Sequence, residues 1–362
     1  MKLLGTTSLA AILATGTAFA GGLERTPQSM NVLFEDGRYL EFGGAYGAPS
    51  VSGTLGGANS GNMTENFLNF GAAYKADLND QLSYAIIYDQ PLGANVDYPN
   101  GTGYAFFGSS AEFNSHALTG VLQYNLDGGM SVFGGLRAQT IDAEAVVQIG
   151  GGLVADYSVE GDRDLALGYL AGVAYERPDI ALRVALTYQS EIEHELDATE
   201  NVSGTITTDS VPIEVPKSIN LEFQSGVAED TLVFGSVRWV EWSAFEIAPA
   251  AYVGEAFSGG RPLVSFADDR TTYTLGVGRR LNETWSVLGS VSHEETTGSV
   301  TGNLGPTDGF TSVGLGAIYT KDNMKVTGGL RYIDVGDATT TAAASFSGNS
   351  AIVGGIRVGF SF

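Results

Sequence analysis

Short and long connections alternate along this chain from about residue 38 to its C-terminal end. Between them lie about fourteen segments of alternating apolar and polar residues, such as the segment that carries Leu118, Gly120, Leu122 and Tyr124 on one face. Each segment is close to ten residues long, the length of a tilted membrane-spanning strand. The pattern predicts an all-β fold: a transmembrane, antiparallel up-and-down β-barrel of about 14 strands, with turns at one end and loops at the other. The six short connections are centred on residues 77–80, 125–129, 176–179, 228–230, 282–283 and 321–323.

The composition agrees with a barrel and restricts the possible partners. No run of 18 or more apolar residues follows the first twenty, so a helical membrane protein is excluded. A soluble β-sandwich, the alternative fold, would have short loops at both ends. The 50 Gly and 16 Tyr residues suit curved strands and interfacial girdles, and the net charge of −23 argues against nucleic acid as a partner. Without Cys the chain has no disulfides or thiolate metal sites, and no cofactor is expected.

The first twenty residues have the features of a signal peptide. Lys2 is positively charged, residues 3–15 are apolar, and Ala18-Phe19-Ala20 forms a cleavage site. An exported barrel belongs in the outer membrane of a Gram-negative cell, among outer-membrane lipid and lipopolysaccharide, and is expected to be a monomer. An even strand count puts both termini on the side of the short turns, taken as the periplasm. Residues 38–362 are then the barrel.

Residues 21–37, ahead of the first strand, do not alternate. Thr26 can cap a short helix that Gly37 ends, with Pro27 at its first position. In front of a barrel, an amphipathic helix can bury its apolar face only in the lumen or at the periplasmic mouth. The segment therefore predicts a luminal plug, and a disordered periplasmic leader is the alternative. The residues expected to form the plug are Pro27 and the helically spaced Met30, Leu33 and Phe34.

Several strands resemble a known family of transporters. Residues 183–191, RVALTYQSE, resemble the R-x-A-L-T-Y-x-S-E strand of FadL-type (FadL/TodX-like) outer-membrane transporters of long-chain fatty acids and other hydrophobic compounds. The similarity continues to about residue 295 in the same order and spacing. Its further parts are residues 216–221, residues 231–245 with their terminal W-S-x-F, residues 269–276 and residues 285–286.

The resemblance implies a fourteen-stranded barrel plugged by an N-terminal hatch. It also implies passive uptake of hydrophobic molecules through a luminal site, with lateral exit beside a kinked third strand. The chain departs from the family in two respects. Its N-terminal segment is shorter than the usual hatch and lacks the Asn-Pro-Ala element, and its third strand, residues 82–88, contains no Gly or Pro. Pro91 and Gly93 lie at the outer end of that strand, so the position of any lateral opening is left open.

Two groups of residues are candidate ligand contacts. The first consists of arginines expected to face the lumen, which would orient a carboxylate or instead pair with acids such as Glu222 and Glu241. The second consists of aromatic residues in two long loops, which would form an apolar groove or instead pack on one another. The arginines are Arg137, Arg183, Arg238 and Arg331, and the aromatic residues are Tyr104, Phe106, Phe107, Phe245 and Phe257.

The sequence offers no catalytic constellation. His116, His194 and His293 are scattered, without a nucleophile motif or a metal-ligand spacing, so the protein is not expected to be an enzyme. The predicted function is passive uptake of long-chain fatty acids or similar hydrophobic compounds across the outer membrane. A general diffusion porin for small hydrophilic solutes and a structural or adhesive barrel are the alternatives. The ligand itself is not identified by the sequence.

Overall fold

The computed structural model describes residues 23–362, and the predicted signal peptide lies outside them. The chain forms a closed antiparallel barrel of fourteen strands, which confirms the predicted fold class. Each strand pairs with the next along the chain, and the last pairs with the first from Tyr39↔Ser361 to Ser50↔Ser350. Closure leaves no unpaired edge, as a sheet in lipid requires. Among the described residues, no helix is long and apolar enough to cross a membrane.

The barrel strands are numbered in chain order, and three of them are interrupted. They are β1 (Tyr39–Ser50), β2 (Phe67–Asp77), β3 (Leu82–Asp89, continued by Gly93–Asp97), β4 (Ser110–Asn125), β5 (Met130–Ile149), β6 (Ala155–Arg177), β7 (Leu182–Gln189, continued by Ile192–Val202), β8 (Thr205–Val215, continued by Ser218–Ala228), β9 (Thr231–Val240), β10 (Arg270–Arg280), β11 (Trp285–Glu294), β12 (Phe310–Lys321), β13 (Met324–Val335) and β14 (Asn349–Ser361).

The remaining elements are short. Within residues 23–362, four strand fragments form a small sheet, two more form a pair, and the helical elements are four 3-10 turns and helix α1 (Ala250–Gly254). The fragments of the small sheet are Gly53–Leu55, Ala58–Asn59, Ala338–Thr339 and Ser345–Phe346, the pair is Glu246–Ile247 with Val264–Ser265, and the 3-10 turns are Asn31–Phe34, Asp127–Gly129, Pro178–Ile180 and Trp242–Ala244.

The strands point apolar side chains outward and polar side chains into the lumen. In β5, Leu136 is 67% exposed on the outer surface, whereas the neighbouring Arg137 is 5% exposed. In β2, Leu68 is exposed and Asn69 is buried in the same way. A soluble protein has the opposite arrangement, because water penalises exposed leucine at about 25 cal/mol per Å². The outer face is therefore suited to lipid.

Two of the stretches predicted to be long loops are continuations of strands, so the expected length of about ten residues is wrong for them. β5 and β6 are 20 and 23 residues long, and the hairpin Ile192–Val215 continues β7 and β8. These extensions project at the end of the barrel opposite the six tight turns, called here the loop end. Their outer faces are rich in exposed acids such as Glu193 and Glu195, which gave the stretches a loop-like composition. Their inner faces carry buried apolar residues such as Leu196 and Ile213.

The N-terminal segment, residues 23–37, enters the lumen without forming the predicted helix. Only one 3-10 turn, Asn31–Phe34, is present, and Gln28 has a φ of +52° that a helix does not allow. The Thr26 hydroxyl donates to Asp89 Oδ2 at 3.0 Å instead of capping a helix. The apolar residues in and next to the turn are nevertheless buried, as their spacing predicted. Met30, Leu33 and Phe34 pack in one buried cluster with Val121, Phe133 and Leu170 of the barrel wall.

Candidate functional site

Charged and polar side chains of the barrel wall bind the N-terminal segment. Arg238 forms a buried ion pair with Glu24, with Nε 2.8 Å from Oε1. Glu222 accepts hydrogen bonds from the Ser29 hydroxyl at 2.7 Å and from Asn31 Nδ2 at 2.8 Å. These contacts join the segment to β8 and β9, so it is held by specific partners on that side of the lumen.

On the opposite side, the N-terminal segment pairs with an interruption in β3. The backbone N–H of Arg25 donates to the Pro91 carbonyl at 2.7 Å, and that of Gly93 donates to the Leu23 carbonyl at 2.8 Å. Pro91 has no N–H and cannot continue the ladder, which explains why β3 breaks here. In the sequence, Pro91 and Gly93 lie at the outer end of the third strand. In the structure, they lie at this break.

The break in β3 leaves a gap in the barrel wall. Pairing between β2 and β3 runs from Asp77↔Ser83 to Ala72↔Tyr88 and then stops. The preceding part of β2, residues 67–71, has no ladder partner in β3, although it pairs with β1 as far as Gly47↔Phe67. The side chain of Gln90 spans the gap and accepts a hydrogen bond from the Phe70 N–H at 2.7 Å. Asn69 Nδ2 also donates to the Gln90 carbonyl at 3.3 Å, so side-chain hydrogen bonds bridge the wall beside residues 67–71.

A cavity of about 170 Å³, called here the gap cavity, lies between this part of the wall and the N-terminal segment. Glycines of three adjacent strands, Gly43, Gly71 and Gly355, contribute to its wall and leave it thin. Arg137 also lines it, but its Nη2 atom is 3.3 Å from Asp89, so its charge is balanced within the protein.

A second cavity, of about 70 Å³, lies among the strand extensions at the loop end and is called here the apolar chamber. Leu23 of the N-terminal segment lines it, whereas Arg25 and Thr26 line the gap cavity. The N-terminal segment therefore separates the two cavities. The chamber wall is mainly apolar, with Glu112 and Glu144 as its charged residues, and its apolar residues include Phe113, Ala143, Val159, Leu196, Ala198, Val211, Ile213, Ile247 and Phe266.

The loop after β9 closes over the chamber and is anchored by Glu200. The Glu200 carboxylate accepts hydrogen bonds from the Tyr157 hydroxyl at 2.9 Å and from the N–H groups of Ala251 and Tyr252 at the start of α1. Burial, with the nearby Glu200 carboxylate, raises the pKa of the Tyr157 hydroxyl, so the hydroxyl remains a donor at neutral pH. This anchor holds the loop against the extended hairpin Ile192–Val215.

The aromatic residues predicted as ligand contacts lie in three separate clusters, apart from Phe107. Phe245 is fully buried and packs on Phe113 and Phe266, which line the chamber, with ring centroids 6.0 and 5.8 Å away. Phe257 packs on Tyr252 at 5.6 Å. Tyr104 stacks on Tyr98 at 5.4 Å in a separate loop cluster that includes Phe106, and Phe107 is half-buried beside Gly151. These contacts show loop packing, and a role in binding stays a prediction.

The chamber residues that sequence reasoning missed lie mainly in the strand extensions. Leu196 and Ala198 of the chamber wall alternate with acidic residues, and this acidic composition led to their interpretation as a loop. The period-two pattern was the available signal, and it also places His194 on the inner face, where its Nδ1 lies 2.8 Å from Asp164. Within residues 23–362, no group of three or more His, Cys, Asp or Glu side chains is arranged to hold a metal ion.

The four predicted arginines all face the lumen, but they differ in their partners. Arg137 pairs with Asp89, and Arg238 pairs with Glu24. Arg183 Nη2 donates to Asn31 Oδ1 at 2.7 Å, with the guanidinium 4.6 Å from the centre of the Phe34 ring. Arg331 is 3% exposed, and its Nε and Nη2 atoms have no hydrogen-bond partner among the described residues. Of the acids proposed as partners, Glu222 binds the N-terminal segment, and Glu241 pairs with Lys217 at 2.6 Å.

A lipid-facing barrel, a lumen occupied by the chain's own N-terminus and an apolar chamber together define a transport barrel of the outer-membrane type. Residues 41–353 match the model of the outer membrane protein transport protein family (OMPP1/FadL/TodX). The chain belongs to this family, which confirms the resemblance seen in the sequence. A search of curated proteins finds no match.

Solved structures share the fold at low sequence identity. A FadL homologue from Pseudomonas aeruginosa has a TM-score of 0.77 and 14% identity, with 99% of each chain covered. The toluene transporter TodX from Pseudomonas putida has a TM-score of 0.68 and 13% identity, over 96% of this chain and 98% of that one. The toluene transporter TbuX from Ralstonia pickettii has a TM-score of 0.64 and 14% identity, over 96% and 97%. At these identities the likeness establishes the fold alone.

Proposed function

We propose that the protein carries out passive uptake of long-chain fatty acids or similar hydrophobic compounds across the outer membrane. The observation that carries the proposal is the position of the N-terminal segment between the apolar chamber and the gap cavity. Family membership supports transport of hydrophobic compounds, and two structural neighbours are named toluene transporters. An aromatic hydrocarbon is therefore a second candidate ligand.

The proposed route begins in the chamber and ends at the gap. A ligand enters the chamber from the loop end, displaces Leu23 and the residues that follow it, and leaves through the wall beside residues 67–71 of β2. This direction requires the loop end to be extracellular and both termini to be periplasmic. A closed barrel needs no partner to complete its sheet, which supports a monomer surrounded by outer-membrane lipid and lipopolysaccharide.

Apolar burial dominates the binding energy in this proposal. Each buried CH₂ group contributes about 0.8 kcal/mol, so a 16-carbon tail contributes on the order of 10 kcal/mol before any cost is subtracted. A hydrated Arg–carboxylate pair contributes roughly 0–1 kcal/mol. Affinity should therefore follow the chamber wall, with Arg137 and Arg183 affecting head-group preference and the plug residues Pro27, Met30, Leu33 and Phe34 controlling passage.

Uptake of labelled oleate and of labelled toluene by cells that depend on this protein tests the proposal. Ala198 lines the chamber, and Ala198→Asp should reduce initial uptake about tenfold or more because it places a carboxylate in an apolar wall. Thr199→Asp adds the same charge on the exposed face of the same strand and should leave uptake unchanged. Heat-modified electrophoretic mobility establishes that both barrels fold. Equal uptake by folded Ala198→Asp and wild type would refute the route.

A further inference from the structure

A third cavity, of about 50 Å³, lies against the wall formed by β8 to β11 and β13, across the lumen from the gap cavity. Pro27 and Ser29 line both of these cavities, so this part of the N-terminal segment is the partition between them. The third cavity shares no lining residue with the apolar chamber. Its polar lining from the barrel wall comes from Asn220, Glu222, Ser236, Arg238, Thr272, Thr274, Ser292 and Arg331.

Arg331 brings a buried charge to this cavity that the protein does not balance. Its partner in the ladder on β12 is Gly314, and its partner on β14 is Val353, so neither neighbour offers an acceptor side chain. Among residues 23–362, Nε and Nη2 have no hydrogen-bond partner, and the guanidinium is in no ion pair. Buried charges in proteins are normally paired, because an unpaired one is strongly destabilising.

Arg238 adds a second donor to the same cavity. Its Nε and Nη2 atoms hold Glu24, but Nη1 is buried without a partner in the described part of the chain. Two carboxylates line the cavity, and both are engaged elsewhere: Glu24 by Arg238, and Glu222 by Ser29 and Asn31. Neither contributes an acceptor to Arg331.

We propose that this cavity binds a small oxyanion, of the carboxylate or phosphate type, between Arg331 and Arg238. A single water needs about 10–15 Å³ on this measure of volume, so the cavity has room for an ion of several atoms. Water would satisfy the free N–H groups but would not balance the charge, whereas an oxyanion does both. The hydroxyls of Thr274 and Ser292 are hydrogen-bonded to each other at 2.9 Å, so one of their two protons remains free to donate to the ion.

The occupant is a free ion rather than the head group of a transported amphiphile. An acyl tail attached to a head group here would meet a mainly polar wall, and Phe234 is the one aromatic residue of the lining. Because Arg238 also holds Glu24, the ion connects the barrel wall to the N-terminal segment. The cavity shares no lining residue with the apolar chamber, so binding of the ion can be measured without transport.

Isothermal titration of the purified barrel in a nonionic detergent tests the site. Sodium phosphate and sodium acetate are titrated at constant ionic strength against a chloride buffer, and dodecanoate and dodecanol are titrated in parallel. Wild type should bind phosphate or acetate at one saturable site, and Arg331→Gln should weaken this binding about tenfold or more. Arg357→Gln removes a positive charge from the lumen at the Glu41 ion pair, which does not involve the N-terminal segment, and should bind as wild type does.

A second variant and a crystallographic measurement also test the proposed site. If Arg331→Gln does not fold, Thr274→Val with Ser292→Ala removes the hydroxyl donors and should weaken the same binding. A selenate-soaked crystal should show an anomalous peak within hydrogen-bond distance of the Arg331 guanidinium. No saturable binding of either small ion would overturn the proposal, as would equal binding by Arg331→Gln. If only dodecanoate binds, and its binding depends on Arg331, the occupant is the head group of an amphiphile and the proposal of a free ion is overturned.

Discussion

Individual luminal residues, rather than a long helix, hold the N-terminal segment in place. Glu24 is bound by Arg238, Asn31 by Arg183 and Glu222, and Glu35 by Lys325 at 2.8 Å. Each pair joins a residue within about a dozen positions of the N-terminus of the described chain to a different barrel strand. Several contacts therefore hold the segment, and each can be removed by its own substitution.

The Glu24–Arg238 pair gives the first residue-scale prediction. Glu24→Gln leaves the buried Arg238 charge unpaired, and breaking a buried pair in this way costs about 3–5 kcal/mol. The segment should then detach more often. Because the chain has no Cys, Val32→Cys provides a single reporter at a buried position of the segment, and aqueous maleimide should label it about tenfold faster or more in the Glu24→Gln background.

Glu41→Gln is the matched control for this measurement. It breaks the luminal ion pair with Arg357, 3.3 Å long, which lies between β1 and β14 and does not involve the N-terminal segment. The labelling rate in that background should stay at the wild-type value. Equal rates in the Glu24→Gln and Glu41→Gln backgrounds would show that Glu24 does not hold the segment.

At the scale of elements, the interruption of β3 is the one that pairs with the start of the N-terminal segment. This interruption removes ladder pairing from residues 67–71 of β2 and provides the backbone groups that bind residues 23–25. The same break thus produces the gap and the attachment of the N-terminal segment beside it. We therefore expect an opening of the wall and a movement of the segment to be coupled.

Filling the gap should stop passage without changing the chamber. A Cβ at Gly71 would lie 3.4 Å from the Tyr88 carbonyl, an ordinary contact, and Gly71 lines the gap cavity. Gly71→Phe should therefore fold, occupy that cavity and reduce uptake of labelled oleate about tenfold, since a filled space admits no further atoms without strain. Binding of the ligand to purified protein should be retained, because the chamber is unchanged.

Gly120→Phe controls for adding a large residue to a barrel strand. Gly120 lies on the outer face between Leu118 and Leu122, and nothing is within 4 Å of a Cβ at that position. Its uptake should equal that of wild type. Normal uptake by Gly71→Phe would move the exit to another part of the barrel.

Strand elements were predictable wherever the barrel wall contacts lipid, because there one face must be apolar. Leu136 beside Arg137 is typical of that alternation. The extensions were not predictable from the same rule, since their outer face contacts water and carries acids such as Glu193. Likewise, the spacing of Met30, Leu33 and Phe34 predicted their burial but not the backbone conformation of the segment. Ion pairs and the hydrogen bond to the Pro91 carbonyl hold the segment in an extended conformation.

For the whole molecule, the sequence indicated the architecture, and pairings between distant parts of the chain determine the sites. That Arg331 has no partner depends on Gly314 in the adjacent strand and on which acids the N-terminal segment engages. The chamber depends on residues from several strand extensions meeting Leu23. Neither property can be obtained from one strand alone, because each is decided by register and by the path of the N-terminal segment.

Conductance of the whole barrel distinguishes a plugged transporter from an open diffusion porin. Small barrels are filled by side chains, and those of 16–18 strands enclose an aqueous channel, so fourteen strands leave a lumen that something must occupy. Here the N-terminal segment occupies it. In planar bilayers wild type should be nearly silent, whereas deletion of residues 23–36 should produce steady conductance through the polar lumen. A variant shortened at the exposed hairpin tip, residues 203–206, keeps the segment and should stay silent. Large steady conductance of wild type would instead support the diffusion porin.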